Sequence, residues 1–318
     1  MSKGEPIVIA HRGACGYLPE HSLEAKAMAH AMGADFIEQD VVLTRDGVPI
    51  VLHDIYLEST TDVARKYPDR ARADGRYYAL DFSLEETRQL RLHERSFVNA
   101  GGQEQAFYPG RFPLGKGDFR LPTLAEEIDL IAGLDRSRAR TTGLYVELKA
   151  PNWHQQQGYD ISSAVLDVLA RTGYANKTDQ VFLQCFNNQT LQDLADRTAL
   201  PLIQLIGEND WGEDGAVDYE AMQTAEGVAK IASYAQGIGP WIPQVITAGE
   251  SGLNATPLTA IAHQHNLKVH PYTLRADDLV PEAKDATELH HALFEVAGVD
   301  GLFTDFTDLT VRYLQGMR

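Results

Sequence analysis

The chain has 318 residues, 44% apolar and 23% charged, enough to bury a full core as one large α/β domain or two smaller ones. Its 45 acidic residues against 28 lysines and arginines give a net charge of −17 with no lysine-rich run. This argues against nucleic acid or an anionic membrane surface as a partner, and leaves any anionic substrate to be held by local positive charge. No apolar run approaches membrane-spanning length, and the only cysteines, Cys15 and Cys185, lie too far apart in sequence to suggest a disulfide framework.

Ile7 to Ala10 reads as a short buried strand ending in His11-Arg12-Gly13, and catalytic groups of α/β barrels sit where strands end. Ser22 then caps a helix with an apolar stripe of Ala25, Met28, Ala29 and Met32, which Gly33 ends. The segment Phe36 to Asp54 follows as two β-rich arms around Asp46-Gly47, a pair that favours a two-residue hairpin turn. That turn sets Asp40 opposite His53, and strand alternation puts Glu38 on the face of Asp40. Two like charges ~4 Å apart at an effective dielectric near ~20 repel by about 4 kcal/mol, so an apolar-flanked strand carrying both acids calls for a cation. Oxygen-only ligands suit Ca²⁺ or Mg²⁺. A solvated hairpin face with ordinary surface charges is the competing reading at this point.

From Tyr56 to about Arg120 the periodicity breaks into turn-rich segments around one helix near Leu84 to Leu92. So long an excursion between core elements is usually functional, and it reads as a cap over the site. Alternation of helix and strand resumes with a helix near Leu124 to Leu134 and a strand over Leu144 to Lys149, which projects Tyr145, Glu147 and Lys149 to one face. Glu147 offers a third oxygen ligand and Lys149 a point charge for a phosphate oxygen, or the two pair with each other at the strand end. Further strands are expected at Val181 to Phe186, Pro201 to Gly207, near Gly237 to Gly239, Lys268 to Thr273 and Gly301 to Asp305. Helices are expected near Ile161 to Arg171, Thr190 to Arg197, Tyr219 to Tyr234, Pro257 to His265, Glu288 to Ala297 and Leu309 to Leu314. Setting the returning hairpin arm aside, the pattern predicts a (β/α)₈ TIM barrel over 1–318 with an inserted cap at 56–120. His11, Arg12, Gln184, Tyr272 and Asp305 would then stand around one mouth.

The motifs His11-Arg12-Gly13, Pro19-Glu20-His21-Ser22, Glu38-Gln39-Asp40, His53-Asp54, Glu147-Leu148-Lys149 and Thr304-Asp305 together resemble the glycerophosphodiester phosphodiesterase family. Its periplasmic bacterial type is resembled further at Gly16 to His21, Tyr67 to Arg72, Tyr108 to Pro113, Gln184 to Phe186, Val269 to Thr273 and Gly301 to Phe306. The resemblance implies hydrolysis of deacylated phospholipids to an alcohol and sn-glycerol 3-phosphate with a divalent cation, Ca²⁺ before Mg²⁺. Carried over by position, Glu38, Asp40 and Glu147 are metal ligands, His11 and His53 the acid/base pair, and Arg12 and Lys149 phosphate contacts; the mechanism drawn from this assigns His11 as base and His53 as acid. Gln184, Phe186, Tyr272 and Phe306 complete the expected substrate pocket, where, with Trp241, aromatic faces suit a choline cation. The expected partner is a small glycerophosphodiester, with no nucleic acid and no stable membrane association. The expected location is the periplasm, as a mature form without its signal peptide, with the cytoplasm as the alternative. Two other classes stand beside this reading: a non-catalytic binding protein on the same barrel, which would lack one of the five acidic and imidazole groups, and a phospholipase D-like lipid phosphodiesterase, which would expose an apolar docking surface.

Overall fold

The computed structural model describes residues 4–212, 214–249 and 252–316. Nine strands matter for the site: β1 (Ile7–Ala10), β2 (Phe36–Leu43), β3 (Pro49–Val51), β4 (Gly143–Leu148), β5 (Val181–Cys185), β6 (Leu202–Ile206), β7 (Gly237–Pro240), β8 (Lys268–Val269) and β9 (Gly301–Thr304). All but β3 run parallel in the order β8-β7-β6-β5-β4-β2-β1-β9. The ring closes through the chain just beyond β8, where Phe303 N donates to the Pro271 carbonyl at 3.0 Å and Leu274 N to the Phe303 carbonyl at 2.9 Å. The expected strand over Lys268 to Thr273 is therefore regular only at its start and pairs irregularly afterwards. Because both faces of a parallel strand are covered, the strands read as near-continuous apolar runs. Ile9, Tyr145, Ile203 and Phe303 fill the barrel, while Val8, Ala10, Ile37, Val41, Leu144, Val146 and Leu148 pack outward under the helices. Cys15 and Cys185 are free and buried.

Helix α1 (Leu23–Met32) begins and ends as its sequence requires: Ser22 Oγ accepts from Ala25 N at 3.1 Å, and Gly33 takes φ 101°. Its inner face differs from the expected stripe. Lys26 and His30 are fully buried beside Ala25 and Ala29, while Met28 and Met32 lie half-buried at the edge. The polar pair is tolerated because helix α2 (Leu124–Arg138) presents Glu127 to Lys26 at 3.2 Å and Asp135 to His30 at 2.9 Å. Helix α3 (Ile161–Arg171) matches its expected bounds. The single helix expected over Tyr219 to Tyr234 is instead two short ones, Tyr219–Met222 and Ala225–Ile231. Thr224 caps the second by accepting from Gly227 N, and a Cβ on Gly227 would stand 2.0 Å from the Ala221 carbonyl oxygen, so the two helices meet at a corner only glycine permits.

The β2–β3 hairpin closes differently from expectation. Thr44 N donates to the Val48 carbonyl at 3.1 Å and Gly47 N to the Thr44 carbonyl at 2.9 Å, leaving a three-residue loop, Arg45-Asp46-Gly47, with Gly47 at φ 72°. Val41 consequently pairs with Val51, and Leu52 N donates to the Asp40 carbonyl, so Leu52 rather than His53 stands opposite Asp40. Between β3 and α2 the chain leaves the barrel. The helix expected over Leu84 to Leu92 spans only Leu84–Thr87, and Ser96–Val98 pairs with Glu104–Ala106 as a small hairpin. This 56–120 segment has its own core, with Leu57, Val63, Tyr77, Phe82, Leu90, Leu92 and Phe119 packed on Val42, Ile50 and Leu52, which lie on the hairpin face that also carries Asp40.

Candidate active site

The site begins with two adjacent strands in register. Parallel pairing of β2 with β4 sets Asp40 beside Glu147 and Glu38 beside Tyr145, and β5 brings Gln184 next to Glu147. Glu38, Asp40 and Glu147 each offer an oxygen within 4.8 Å of the others, and all three side chains are buried. Immediately after β1 the chain turns back on α1: Arg12 has φ 55°, Gly13 has φ 89°, and a Cβ on Gly13 would lie 2.9 Å from the Ala25 carbonyl carbon. That bend points the Arg12 backbone N–H at Glu38 Oε2, 2.9 Å away.

Each carboxylate is held by a different neighbour. Gln184 Nε2 donates to Glu38 Oε1 at 2.9 Å, His21 Nε2 meets Asp40 Oδ2 at 2.8 Å, and Lys149 Nζ donates to Glu147 Oε1 at 2.7 Å. Burial, then the charge of Asp40, pushes the Glu38 carboxyl up to about 8. Burial also raises Glu147 well above the usual range, with Lys149 opposing and Asp40 and Glu38 reinforcing the rise. Burial would lift Asp40 too, but His21, Lys149 and His53 hold it well below. Asp40 Oδ1 is buried with no hydrogen-bond partner, and so is Gln184 Oε1. Three crowded acids with an unsatisfied oxygen aimed among them fit a hard divalent cation.

The two histidines flank this trio in matching fashion. His11 Nδ1 meets Asp305 Oδ1 at 2.6 Å, and His53 Nδ1 meets Asp54 Oδ1 at 2.5 Å. With carboxylate acceptors at Nδ1, each ring carries its proton there and leaves Nε2 bare. His11 Nε2 lies 3.7 Å from Glu38 Oε2 and His53 Nε2 lies 3.4 Å from Lys149 Nζ, so both bare nitrogens face the same space. Burial, then Arg12, lowers His11 to about 4; burial, then Arg12 and Lys149, does the same to His53.

A cavity of about 250 Å³ opens above, and the expected His11, Arg12, Glu38, His53, Glu147, Lys149, Gln184, Phe186 and Tyr272 all line it. Asp40 sits beneath, against Arg12 Nε at 3.5 Å, while Arg12 Nη1 is engaged by Glu20 at 3.0 and 3.1 Å. Phe306 does not line the cavity. Strand β9 ends at Thr304 and the chain turns into the helix Thr307–Gly316, which takes Phe306 out of strand alternation and lays its ring on Tyr17, 2.6 Å from where a Cβ on Gly16 would be. Sequence reasoning assigned no role to Asp54, Glu20, Trp211 or Arg275. Glu20 and Asp54 lie inside quoted motifs next to histidines, which was the available signal; Trp211 and Arg275 stand in loops beyond β6 and β8, where no spacing pointed to them.

The glycerophosphoryl diester phosphodiesterase family matches residues 11–309. A glycerophosphodiester phosphodiesterase of Haemophilus influenzae is 41% identical over 334 aligned residues, covering 99% of this chain and 92% of its own length. Among solved structures, a putative glycerophosphoryl diester phosphodiesterase from Silicibacter pomeroyi superposes with a TM-score of 0.74 at 26% identity, covering 99% of this chain and 96% of that one. An Oleispira antarctica phosphodiesterase, solved in complex with the product sn-glycerol-3-phosphate, shares the fold with a TM-score of 0.67 at 19% identity, over 98% of this chain and 97% of that one. The chain belongs to the glycerophosphoryl diester phosphodiesterase family.

Proposed function

We propose that this enzyme hydrolyses glycerophosphodiesters such as glycerophosphocholine to sn-glycerol 3-phosphate and an alcohol, with Ca²⁺ held by Glu38, Asp40 and Glu147 and with His11 and His53 as base and acid. The observation that carries the reading is the buried carboxylate trio flanked by two imidazoles whose bare Nε2 atoms face one cavity. The Oleispira antarctica neighbour and its bound product support sn-glycerol 3-phosphate as the half of the substrate this cavity receives. The 56–120 segment is read as a cap over the mouth, supported by its contacts to Asp54 and Asp305.

A cation at the trio would supply neutralisation of a phosphate oxygen and acidify a coordinated hydroxyl. The chain's own groups do the rest. Lys149 Nζ and the Arg12 guanidinium orient the phosphate and offset negative charge that builds up at phosphorus. The hydroxyl that attacks phosphorus, whether from glycerol or from water, gives its proton to His11 Nε2. The phosphorus–oxygen bond to the headgroup breaks, and His53 Nε2 delivers a proton to the departing oxygen; where the attacking hydroxyl is glycerol's own, water then opens the resulting cyclic phosphate with the two histidines' roles exchanged, giving sn-glycerol 3-phosphate. A phosphate anion beside His53 favours its charged form, which prepares it to act as the acid. Phe186, Trp241 and Tyr272 form the wall left for the headgroup, and a choline cation suits those faces.

The test is release of glycerol 3-phosphate from glycerophosphocholine after chelation, with Ca²⁺ or Mg²⁺ then restored separately, beside Glu38→Ala, His11→Ala and His53→Ala. Turnover returned by Ca²⁺ and lost in all three variants is expected. Full turnover in chelator, or in the histidine variants, would sink the reading.

A further inference from the structure

The 56–120 segment folds on its own apolar core, yet it sends two arginines out of that core into the barrel mouth. Arg95 Nη1 donates to Asp54 Oδ2 at 2.8 Å, and Arg111 Nη2 donates to Asp305 Oδ2 at 2.7 Å. In each aspartate the other oxygen, Oδ1, is the one that meets a histidine: His53 for Asp54 and His11 for Asp305. The same guanidinium–carboxylate–imidazole chain is thus built twice, once for each ring, with a guanidinium from the insertion in both; at Asp305 the barrel adds a second, Arg275 Nε, at a longer 3.3 Å from Oδ2. Both arginines are themselves fixed from behind. Arg95 forks onto Glu20 at 2.7 and 3.0 Å, and Arg111 forks onto Asp277 at 2.8 and 2.9 Å while its guanidinium carbon lies 3.8 Å from the centre of the Tyr108 ring. Ser59, from the same segment, adds a second donor to Asp54 Oδ2 at 2.7 Å.

A carboxylate pinned at one oxygen by a planar, always-charged fork cannot rotate about its last bond, so its second oxygen fixes both the tautomer and the ring plane of the imidazole it holds. We propose that Arg95 and Arg111 are positioning residues for the reaction, and that the inserted segment, rather than the barrel alone, aligns His53 and His11 through Asp54 and Asp305. The proposal rests on the reading of those histidines as the acid/base pair. It assigns the insertion a task different from shielding the mouth: it completes the catalytic geometry.

The experiment is steady-state hydrolysis of glycerophosphocholine at saturating Ca²⁺ by Arg95→Ala, Arg111→Ala, Asp54→Asn, Asp305→Asn and the doubles Arg95→Ala/Asp54→Asn and Arg111→Ala/Asp305→Asn. Removing an orienting partner of a functional histidine typically costs about 10–100-fold, and that loss is expected in kcat with KM changed by less than about threefold. The doubles are expected to lose little more than the asparagine singles, because each arginine acts through its aspartate. Guanidinium chloride at millimolar levels should recover part of the kcat lost in Arg111→Ala and none of that lost in Asp305→Asn. Should the alanine variants fail to fold, Arg95→Lys and Arg111→Lys keep the charge but not the fork and are expected to lose kcat while folding normally. Arg70→Ala, which breaks a pair with Glu86 inside the insertion, should leave kcat alone. Wild-type kcat in the folded lysine or alanine variants, or penalties that simply multiply in the doubles, would overturn the proposal. His11→Ala and His53→Ala run alongside separate the two failures: if they retain turnover the acid/base reading itself is wrong, and if they lose it while the arginine variants do not, only the positioning role falls.

Discussion

At the scale of single residues, the site stores charge that the fold alone does not neutralise. Glu38, Asp40 and Glu147 are buried together, and among the described residues Lys149, His21, Gln184, the Arg12 guanidinium and the Arg12 backbone N–H answer them. A ligand that binds only the folded state at about 1,000 times its Kd adds about 4 kcal/mol to stability. Saturating Ca²⁺ is therefore expected to raise the melting temperature by roughly 5 °C or more, and Glu38→Gln to abolish most of that rise; scanning calorimetry with and without chelator measures both. Two other buried imidazoles report on acid. His270 pairs with the Tyr145 hydroxyl at 2.9 Å, His290 stacks on Tyr313 and meets Thr310 Oγ1 at 2.8 Å, and burial lowers each to about 4 from an ordinary 6.5. A histidine whose folded pKa is depressed takes its proton first in the unfolded chain, so its contribution is present above pH 6.5 and is lost as pH falls towards 4. By pH 5 each costs about 2 kcal/mol. Urea unfolding at pH 7.5 and pH 5 should show a loss smaller by about that amount in His290→Gln than in the parent, whatever the variant's stability at neutral pH.

At the scale of elements, the hairpin shows what pattern reveals and what it hides. Gly47 sits at φ 72° with open space around its Cβ position, so Gly47→Ala meets only backbone strain and is expected to cost about 1 kcal/mol, or roughly 2–4 °C in Tm, with kcat unchanged. Alternation along β2 placed Glu38 and Asp40 on one face, and alternation along β4 placed Glu147 and Lys149 beside them, because a parallel strand leaves no freedom in parity. The register of the returning arm was not legible. An Asp-Gly pair serves a two-residue turn and a three-residue loop with glycine in the left-handed position equally well, and one residue decides which side chain faces Asp40. His53 nonetheless reaches the site because it lies beyond Val51, where β3 has ended and the backbone no longer alternates. The break at Thr224 was hidden for a related reason: the apolar spacing of Tyr219 to Tyr234 continues across a corner imposed by the close approach of Gly227 to Ala221. Arg95 carried no local signal, and Arg111 only its place in the Tyr108 to Pro113 motif, which named no partner, since their partners lie far away in the chain and irregular segments have no period to read.

At the scale of the whole molecule, an enzyme of net charge −17 acts on a phosphodiester, so encounter works against the global field, and on the proposed reading binding rests on Lys149 and Arg12 at short range. Salt shortens the reach of that field from about 30 Å at 0.01 M to about 8 Å at 0.15 M. Raising ionic strength across that interval is expected to increase kcat/KM for glycerophosphoglycerol, an anion, and to leave it nearly flat for the net-neutral glycerophosphocholine; stopped assays at fixed free Ca²⁺ decide it. The cysteines carry a different consequence. Both thiols are free, inside the fold and pushed up by burial, Cys15 beneath Arg111 and Cys185 between the Leu148 carbonyl and the Asn187 N–H. A thiol in that state is invisible to alkylating reagents until the barrel opens. The native chain therefore carries its own unfolding probe: the rate at which a maleimide dye labels it counts opening events, one cysteine reporting the loop after β1 and the other the end of β5, without any engineered label.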